Sequence, residues 1–177
     1  MDWTAKVLTF WFGLAPEQWW KADQGVDFEI RKRFLKLWCE QRASVPGLFL
    51  GDPRKALAAV ILFDQFPRNM FRGQADQFST DPLAIAVAKG AIDAGLDRAL
   101  NVTERGFLYM PFMHSEQRAE QDLSLLLFTA LGDSKQLDFA KRHHDVVARF
   151  GRFPHRNQIL GRASRPDEVA AGYPAPF

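Results

Sequence analysis

The chain has few of the features that define several large classes of protein. It contains one cysteine, Cys39, so an internal disulfide and a cysteine-based zinc cluster are excluded. Its formal net charge is only +2, whereas a general nucleic-acid binder carries a concentrated basic face. The apolar run at residues 7–14 is shorter than the roughly 20 residues of a membrane helix and lacks signal-peptide flanks. We therefore predict a cytoplasmic protein that binds neither nucleic acid nor membrane.

Strand-like alternation and nucleotide-binding motifs are missing as well. No stretch of four or more residues alternates in the manner of a strand, and there is no P-loop or dinucleotide fingerprint. Helical spacing recurs instead, for example among the leucines of residues 123–131. The 16 Phe and 5 Trp predict a large aromatic core. We predict one all-α domain over residues 1–177, built as a bundle or a stack of helix pairs.

Several helix boundaries are predicted from local signals. Asp52-Pro53 and Asp81-Pro82 each combine an N-cap aspartate with a first-turn proline. The helix after Asp52 is apolar around most of its circumference, which predicts a central helix that runs to about residue 66. Pro111 is expected to break the helix that starts near Thr103, and the next helix is expected to open at Ser115.

Two short strings nearly repeat each other. Each consists of Phe-Pro followed by arginine and asparagine at the end of an apolar helix, and their spacing does not fit the ~34-residue tetratricopeptide period. A third polar string occupies residues 109–116. The ligand-binding candidates in the first two strings are Arg68, Asn69, Arg72, Arg152, Arg156, Asn157 and Arg162. The catalytic candidates are Asp64, His114, Glu116 and His155. We predict that the three helix ends converge on one pocket lined by arginine and histidine.

Each candidate also has a structural interpretation. Arg68 can satisfy helix-terminal carbonyls or pair with Asp64 four residues before it, and Asn157 can cap a short helix. His155 can be a hydrogen-bonded structural residue. A metal site made from His114, His155 and a carboxylate has no recognised ligand spacing, so no metal or cofactor is predicted. The histidines at 143 and 144 are adjacent on a helix and diverge by about 100°, so they cannot form a two-histidine metal face.

Three functions remain open on these grounds. The first is a binding protein whose arginines hold a small anion or the acidic end of a peptide. The second is a hydrolase or transferase for a phosphorylated or carboxylated small molecule, with His114 or His155 as general acid/base and Asp64 or Glu116 as the orienting carboxylate. The third is an interaction scaffold whose polar strings only determine the fold. We favour binding, and the oligomeric state stays open.

The polar strings, together with a segment near the N-terminus, resemble a widespread bacterial family known as domain of unknown function 924. The matching pieces are residues 7–13, 64–69, 71–73, 107–116, 149–157 and 160–162. The resemblance implies stacked antiparallel helices of the tetratricopeptide-like type. It implies no activity, cofactor or substrate.

Overall fold

In the computed structural model, which describes residues 2–175, all regular structure is helical. The prediction of an all-α fold is therefore confirmed. The chain divides into two compact units, one up to residue 108 and one from residue 109. The α-helices are Trp3–Phe12 (α1), Gln24–Gln41 (α2), Pro53–Val60 (α3), Phe66–Met70 (α4), Asp81–Asp93 (α5), Val102–His114 (α6), Arg118–Leu131 (α7), Ser134–Phe150 (α8) and Pro166–Ala170 (α9). Short 3₁₀ helices occur at Pro16–Trp19, Pro46–Phe49, Ala75–Phe78, Leu96–Ala99 and Pro154–Arg156.

The first unit is organised around α3 and α4. Asp52 caps α3 as predicted, because its Oδ1 accepts the N–H groups of Arg54 and Lys55 at 2.9 and 3.0 Å. Every residue from 56 to 67 is buried, which confirms a central helix. Helices α1 and α5 pack against α3, and α2 packs against α4. The central helix continues past the expected end near residue 66, since a π turn over Ile61–Gln65 connects α3 to α4.

The second unit contains an antiparallel hairpin of α7 and α8. Gly132 ends α7 with φ of 79°, a left-handed conformation that glycine adopts without strain. Asp133 then caps α8, with its Oδ1 3.0 Å from the N–H groups of Lys135 and Gln136. The far end of α8 packs its apolar side chains into a small core of Val146, Val147, Phe150 and Phe153, against which Ala171 is also packed.

Two further predicted boundaries, those at Pro111 and Ser115, are wrong. Helix α6 runs through Pro111 to His114, because residues 106–113 are buried and their packing outweighs one lost backbone hydrogen bond. Helix α7 begins at Arg118 rather than Ser115, whose hydroxyl accepts the N–H of Gln117 at 3.1 Å in a turn. Within residues 2–175, no helix is both long enough and apolar enough to span a membrane.

Candidate functional site

The first polar string lies at a defect in the central helix. Pro67 has no N–H group, so the carbonyl of Phe63, four residues before it, loses its usual helical partner. The hydroxyl of Thr80 donates to that carbonyl at 2.7 Å, and the indole N–H of Trp38 donates to the hydroxyl at 3.2 Å. The π turn opens the helix at this point, where the proline ring would otherwise clash with the preceding turn. Side chains thus complete the hydrogen bonding that the backbone cannot.

Arg68 occupies a buried ion-pair network next to this defect. Its two terminal nitrogens donate to the carboxylate of Asp81 at 2.9 and 3.0 Å, and one of them lies 3.1 Å from Oδ1 of Asp64. The same nitrogen donates to the Asp64 carbonyl at 2.5 Å. Burial would lower the pKa of Arg68, but the attraction of Asp64 and Asp81 outweighs it and raises that pKa. Asp81 was expected to be an N-cap; Thr80 holds that position instead, so the Asp81 carboxylate pairs with Arg68.

The other candidates of the first string also have structural partners. The amide of Asn69 donates to the carbonyl of Gln65 at 2.9 Å. Arg72 makes a bidentate pair with Asp27 in the first turn of α2, with both N–O distances at 2.8 Å. The guanidinium of Arg72 also donates to Oδ1 of Asn69 at 3.3 Å. These contacts favour the fold-determining interpretation of the first string.

The second and third strings come together in the second unit through Glu116 and Arg162. The two side chains form a bidentate pair at 2.6 and 3.0 Å, although they are 46 positions apart in sequence. Glu116 also accepts the N–H of Phe153 at 2.7 Å, and Arg162 donates to the Phe153 carbonyl at 3.0 Å. Burial alone would raise the pKa of Glu116, but the hydrogen bonds from Arg162 and Phe153 lower it. The pair therefore clamps the backbone of Phe153 on both sides.

A second carboxylate, Glu168 of α9, was not singled out from the sequence. Its buried side chain accepts from Arg152 at 2.6 and 2.8 Å and from the amide of Asn157 at 2.9 Å. Arg165 adds hydrogen bonds to it from the backbone N–H and from the guanidinium. These donors, Arg152 foremost, hold the pKa of Glu168 far below its usual value. Asn157, expected as a helix cap, therefore connects Glu168 to Arg162, whose Nε donates to its Oδ1 at 3.0 Å.

The histidines of the second unit surround Phe153. Ring centroids are 6.0 Å apart for His114 and His143, and 5.6 Å apart for both His143–Phe153 and Phe153–His155. The guanidinium carbon of Arg156, itself buried, lies 4.3 Å from the centre of the Phe153 ring. We call these five residues the His/Arg cluster.

Hydrogen bonds to backbone groups hold parts of the cluster in place. The buried amide of Gln121 donates to the carbonyls of Met113 and Ser115 at 2.7 and 2.6 Å, on either side of His114. Nδ1 of His143 lies 2.8 Å from the carbonyl of Phe139 and carries the proton, because that carbonyl can only accept. Nε2 of His143 is then the nitrogen with the lone pair.

The electrostatics of the cluster keep two of its imidazoles neutral. Burial, followed by repulsion from His114, lowers the pKa of His143 to about 3. Burial, followed by the charge of Arg156, lowers the pKa of His155 to about 4, although the Pro174 backbone, which can only accept, opposes the shift. In the part of the chain that the structure describes, no three His, Cys, Asp or Glu side chains are grouped as metal ligands would be.

A comparison with known protein families identifies the family of this chain. A model described as "Bacterial protein of unknown function (DUF924)" matches residues 7–171. The chain belongs to the DUF924 family. The DUF924 chain is also similar to a solved structure, that of the protein of unknown function ATU0120 from Agrobacterium tumefaciens, with 38% identity, 95% of each chain covered and a TM-score of 0.90. A search of curated proteins finds no match. The family model covers more than nine-tenths of the chain, and its description names no activity.

The sequence prediction of the site has three outcomes in this DUF924 protein. The structure brings together His114 and Glu116 of the third string with Arg152, His155, Arg156, Asn157 and Arg162 of the second. Asp64, Arg68, Asn69 and Arg72 belong to the first unit, and their convergence with the other two strings stays a prediction. His143 and Glu168 were missed. His143 could have been found because it lies on the apolar face of α8. Glu168 could have been found because it is the third residue of α9, where a glutamate often accepts the N–H of the N-cap residue, here Arg165.

Proposed function

We propose that this DUF924 protein binds a small carboxylate- or phosphate-bearing ligand at the His/Arg cluster. The observation that carries the proposal is a buried guanidinium, that of Arg156, in one cluster with three imidazoles. Burial foremost, with the charge of Arg156 as a further contribution, lowers the pKa of both His143 and His155, so both are neutral at physiological pH. An anion in the same place would interact favourably with that guanidinium. It would also favour protonation of the imidazoles, and each protonated ring has a second N–H to donate to the anion's oxygens.

The charges around the cluster support an anionic ligand. The ion-pair network beside it contains the guanidinium groups of Arg152, Arg162 and Arg165 and the carboxylates of Glu116, Glu168 and the exposed Asp167. The cluster itself adds the guanidinium of Arg156, which lies over the ring of Phe153. Glu116 accepts the N–H of Phe153 and Glu168 accepts that of Arg165, so hydrogen bonds fix both ends of the segment that contains His155 and Arg156. Fixing these ends before a ligand binds lowers the cost of ordering the site.

The same pKa values favour binding over general acid/base catalysis. A general base works best when its pKa is near the working pH. The values of about 3 for His143 and about 4 for His155 make both imidazoles weak bases at neutral pH. The carboxylate at the end of a peptide has the same head-group chemistry as a small acid, so both belong to the proposed ligand class.

Isothermal titration calorimetry with inorganic phosphate, succinate and a short acidic peptide tests the proposal. We expect saturable binding of at least one of them, with only a modest loss of affinity on addition of salt because charges at a largely buried site are screened less than exposed ones. Arg156→Gln should weaken binding at least tenfold. His155→Gln, which removes no charge, should weaken it less. Arg149→Gln is the matched control, because that exposed arginine covers the ring of Phe150 at 4.8 Å on α8. Equal affinity in all three variants, or no binding of any probe, would reject the proposal.

A further inference from the structure

A cleft on the first unit lies beside α1 and α2. Its volume of about 630 Å³ is within the range of small-molecule sites. It is lined by Lys6, Thr9, Phe10, Gly13, Leu14, Arg33 and Phe34. Positions 6, 9, 10 and 13 recur at helical spacing, so they form one face of the α1 segment that the sequence resemblance singled out. This face takes no part in the His/Arg cluster, whose residues all belong to the second unit.

The floor of the cleft is aromatic and aliphatic. The rings of Phe10 and Phe34 meet edge to face, with centroids 5.4 Å apart, and Leu14 lies half-buried beside them. Arg33 covers the ring of Phe10, with its guanidinium carbon 5.2 Å from the centroid, and pairs with Glu29 at 2.6 Å. An apolar chain in the cleft would therefore bury hydrocarbon surface against these side chains.

The charge at the edge of the cleft comes from Lys6. Among residues 2–175, no carboxylate lies within ion-pair distance of its ammonium group, whereas Arg33 is already paired with Glu29. A neighbouring cleft of about 800 Å³ differs on this point, because its Arg54 and Glu104 neutralise each other at 3.0 Å. The first cleft thus combines an apolar floor with one uncompensated positive charge.

We propose that this cleft binds an amphipathic anion, namely a single medium-length alkyl chain that ends in a carboxylate. The alkyl chain would pack on Phe10, Leu14 and Phe34, and the carboxylate would pair with Lys6. The length of the α1 face from Lys6 to Gly13 is about 10 Å, at 1.5 Å per residue, which suits a chain of this size. This site is separate from the anion site proposed above and does not depend on it.

Titration of decanoate below its micelle-forming concentration, followed by calorimetry, tests the proposal. We expect saturable binding of decanoate, at least tenfold weaker binding of the neutral analogue decanol, and no measurable binding of acetate. Lys6→Glu should weaken decanoate binding at least tenfold. Lys36→Glu is the matched control, since Lys36 on α2 is 90% exposed and does not line the cleft. Leu14→Ser should also weaken decanoate binding, because it removes apolar surface from the floor of the cleft and leaves the charge of Lys6 in place.

Several outcomes would overturn the proposal. They are the absence of saturable decanoate binding, equal affinity in Lys6→Glu and the control, and equal affinity for decanol. Binding to vesicles of phosphatidylglycerol without binding of free decanoate would assign the face to a membrane surface instead. His155→Gln should leave decanoate binding unchanged, and a loss there would show that the probe binds at the His/Arg cluster.

Discussion

Removal of Arg68 is expected to destabilise the first unit far more than removal of Arg72. The Arg68 side chain is 18% exposed and compensates Asp64, which is fully buried, and Asp81, which is 15% exposed. Arg68→Ala would leave both carboxylates without this partner and would remove a donor from the carbonyl of Asp64. Breaking a buried pair typically costs about 3–5 kcal/mol, because it leaves an uncompensated buried charge. For a chain of this size that corresponds to a fall in Tm of roughly 6–20 °C.

Arg72 provides the matched control for this change. It makes the same bidentate contact with an aspartate, but its side chain is 46% exposed. Exposed pairs contribute about 0–1 kcal/mol, so Arg72→Ala should move the urea midpoint little. Arg68→Lys should be intermediate, because a single ammonium group keeps the charge but cannot match two carboxylates with a planar fork. Urea unfolding, monitored by circular dichroism, measures the free energy of unfolding of all three variants. Equal losses in Arg68→Ala and Arg72→Ala would refute the claim that burial makes the first string essential to the fold.

The remaining predictions concern hydrogen bonds and pH. His143 has a pKa lowered from 6.5 to about 3, so its contribution to stability is present above pH 6.5 and is lost as the pH falls towards 3; it is on the order of 5 kcal/mol in full. His143→Gln should therefore flatten the dependence of the urea midpoint on pH in that window, and an unchanged pH dependence would contradict this assignment. Glu116 has a lowered pKa, so its contribution is present above its ordinary value of 4.5 and is lost below it. Glu116→Gln should make the protein less stable at pH 7 and should reduce the further loss of stability on acidification. Thermal unfolding at pH 7 and at a pH below 4.5 would show both effects. Thr80→Val should cost about 1–3 kcal/mol in urea unfolding, because the carbonyl of Phe63 loses its donor; an unchanged midpoint would contradict that assignment.

Local signals in the sequence predicted the helices well where the backbone decides the structure. Asp52-Pro53 starts α3 and Gly132 ends α7, since capping and left-handed turns depend on a few neighbouring residues. Pro111 misled the prediction because burial of its helix outweighs the bond that proline removes. Asp81 is not a cap because a distant arginine takes up its carboxylate. Both errors arise from packing that no local signal encodes.

The candidate site was predictable in residue type but not in pairing. Glu116 and Arg162 were each singled out, yet their pairing over 46 positions follows from the folded chain. Glu168 was not singled out, although it accepts hydrogen bonds from Arg152, Arg165 and Asn157. His143 was considered only as part of a metal face that helix geometry excludes, and its place in the cluster depends on Phe139 and Phe153 beside it. Sequence spacing identified the polar strings, and only the fold shows which of their charges are already compensated.

Titration of the imidazole NMR signals of His143 and His155, with and without phosphate, tests the central claim most directly. Without phosphate, we predict pKa values of about 3 for His143 and about 4 for His155. A bound anion favours the protonated imidazole, so phosphate should raise at least the pKa of His155, and Arg156→Gln should reduce that effect. Values near the ordinary 6.5 that do not respond to phosphate would contradict the anion site.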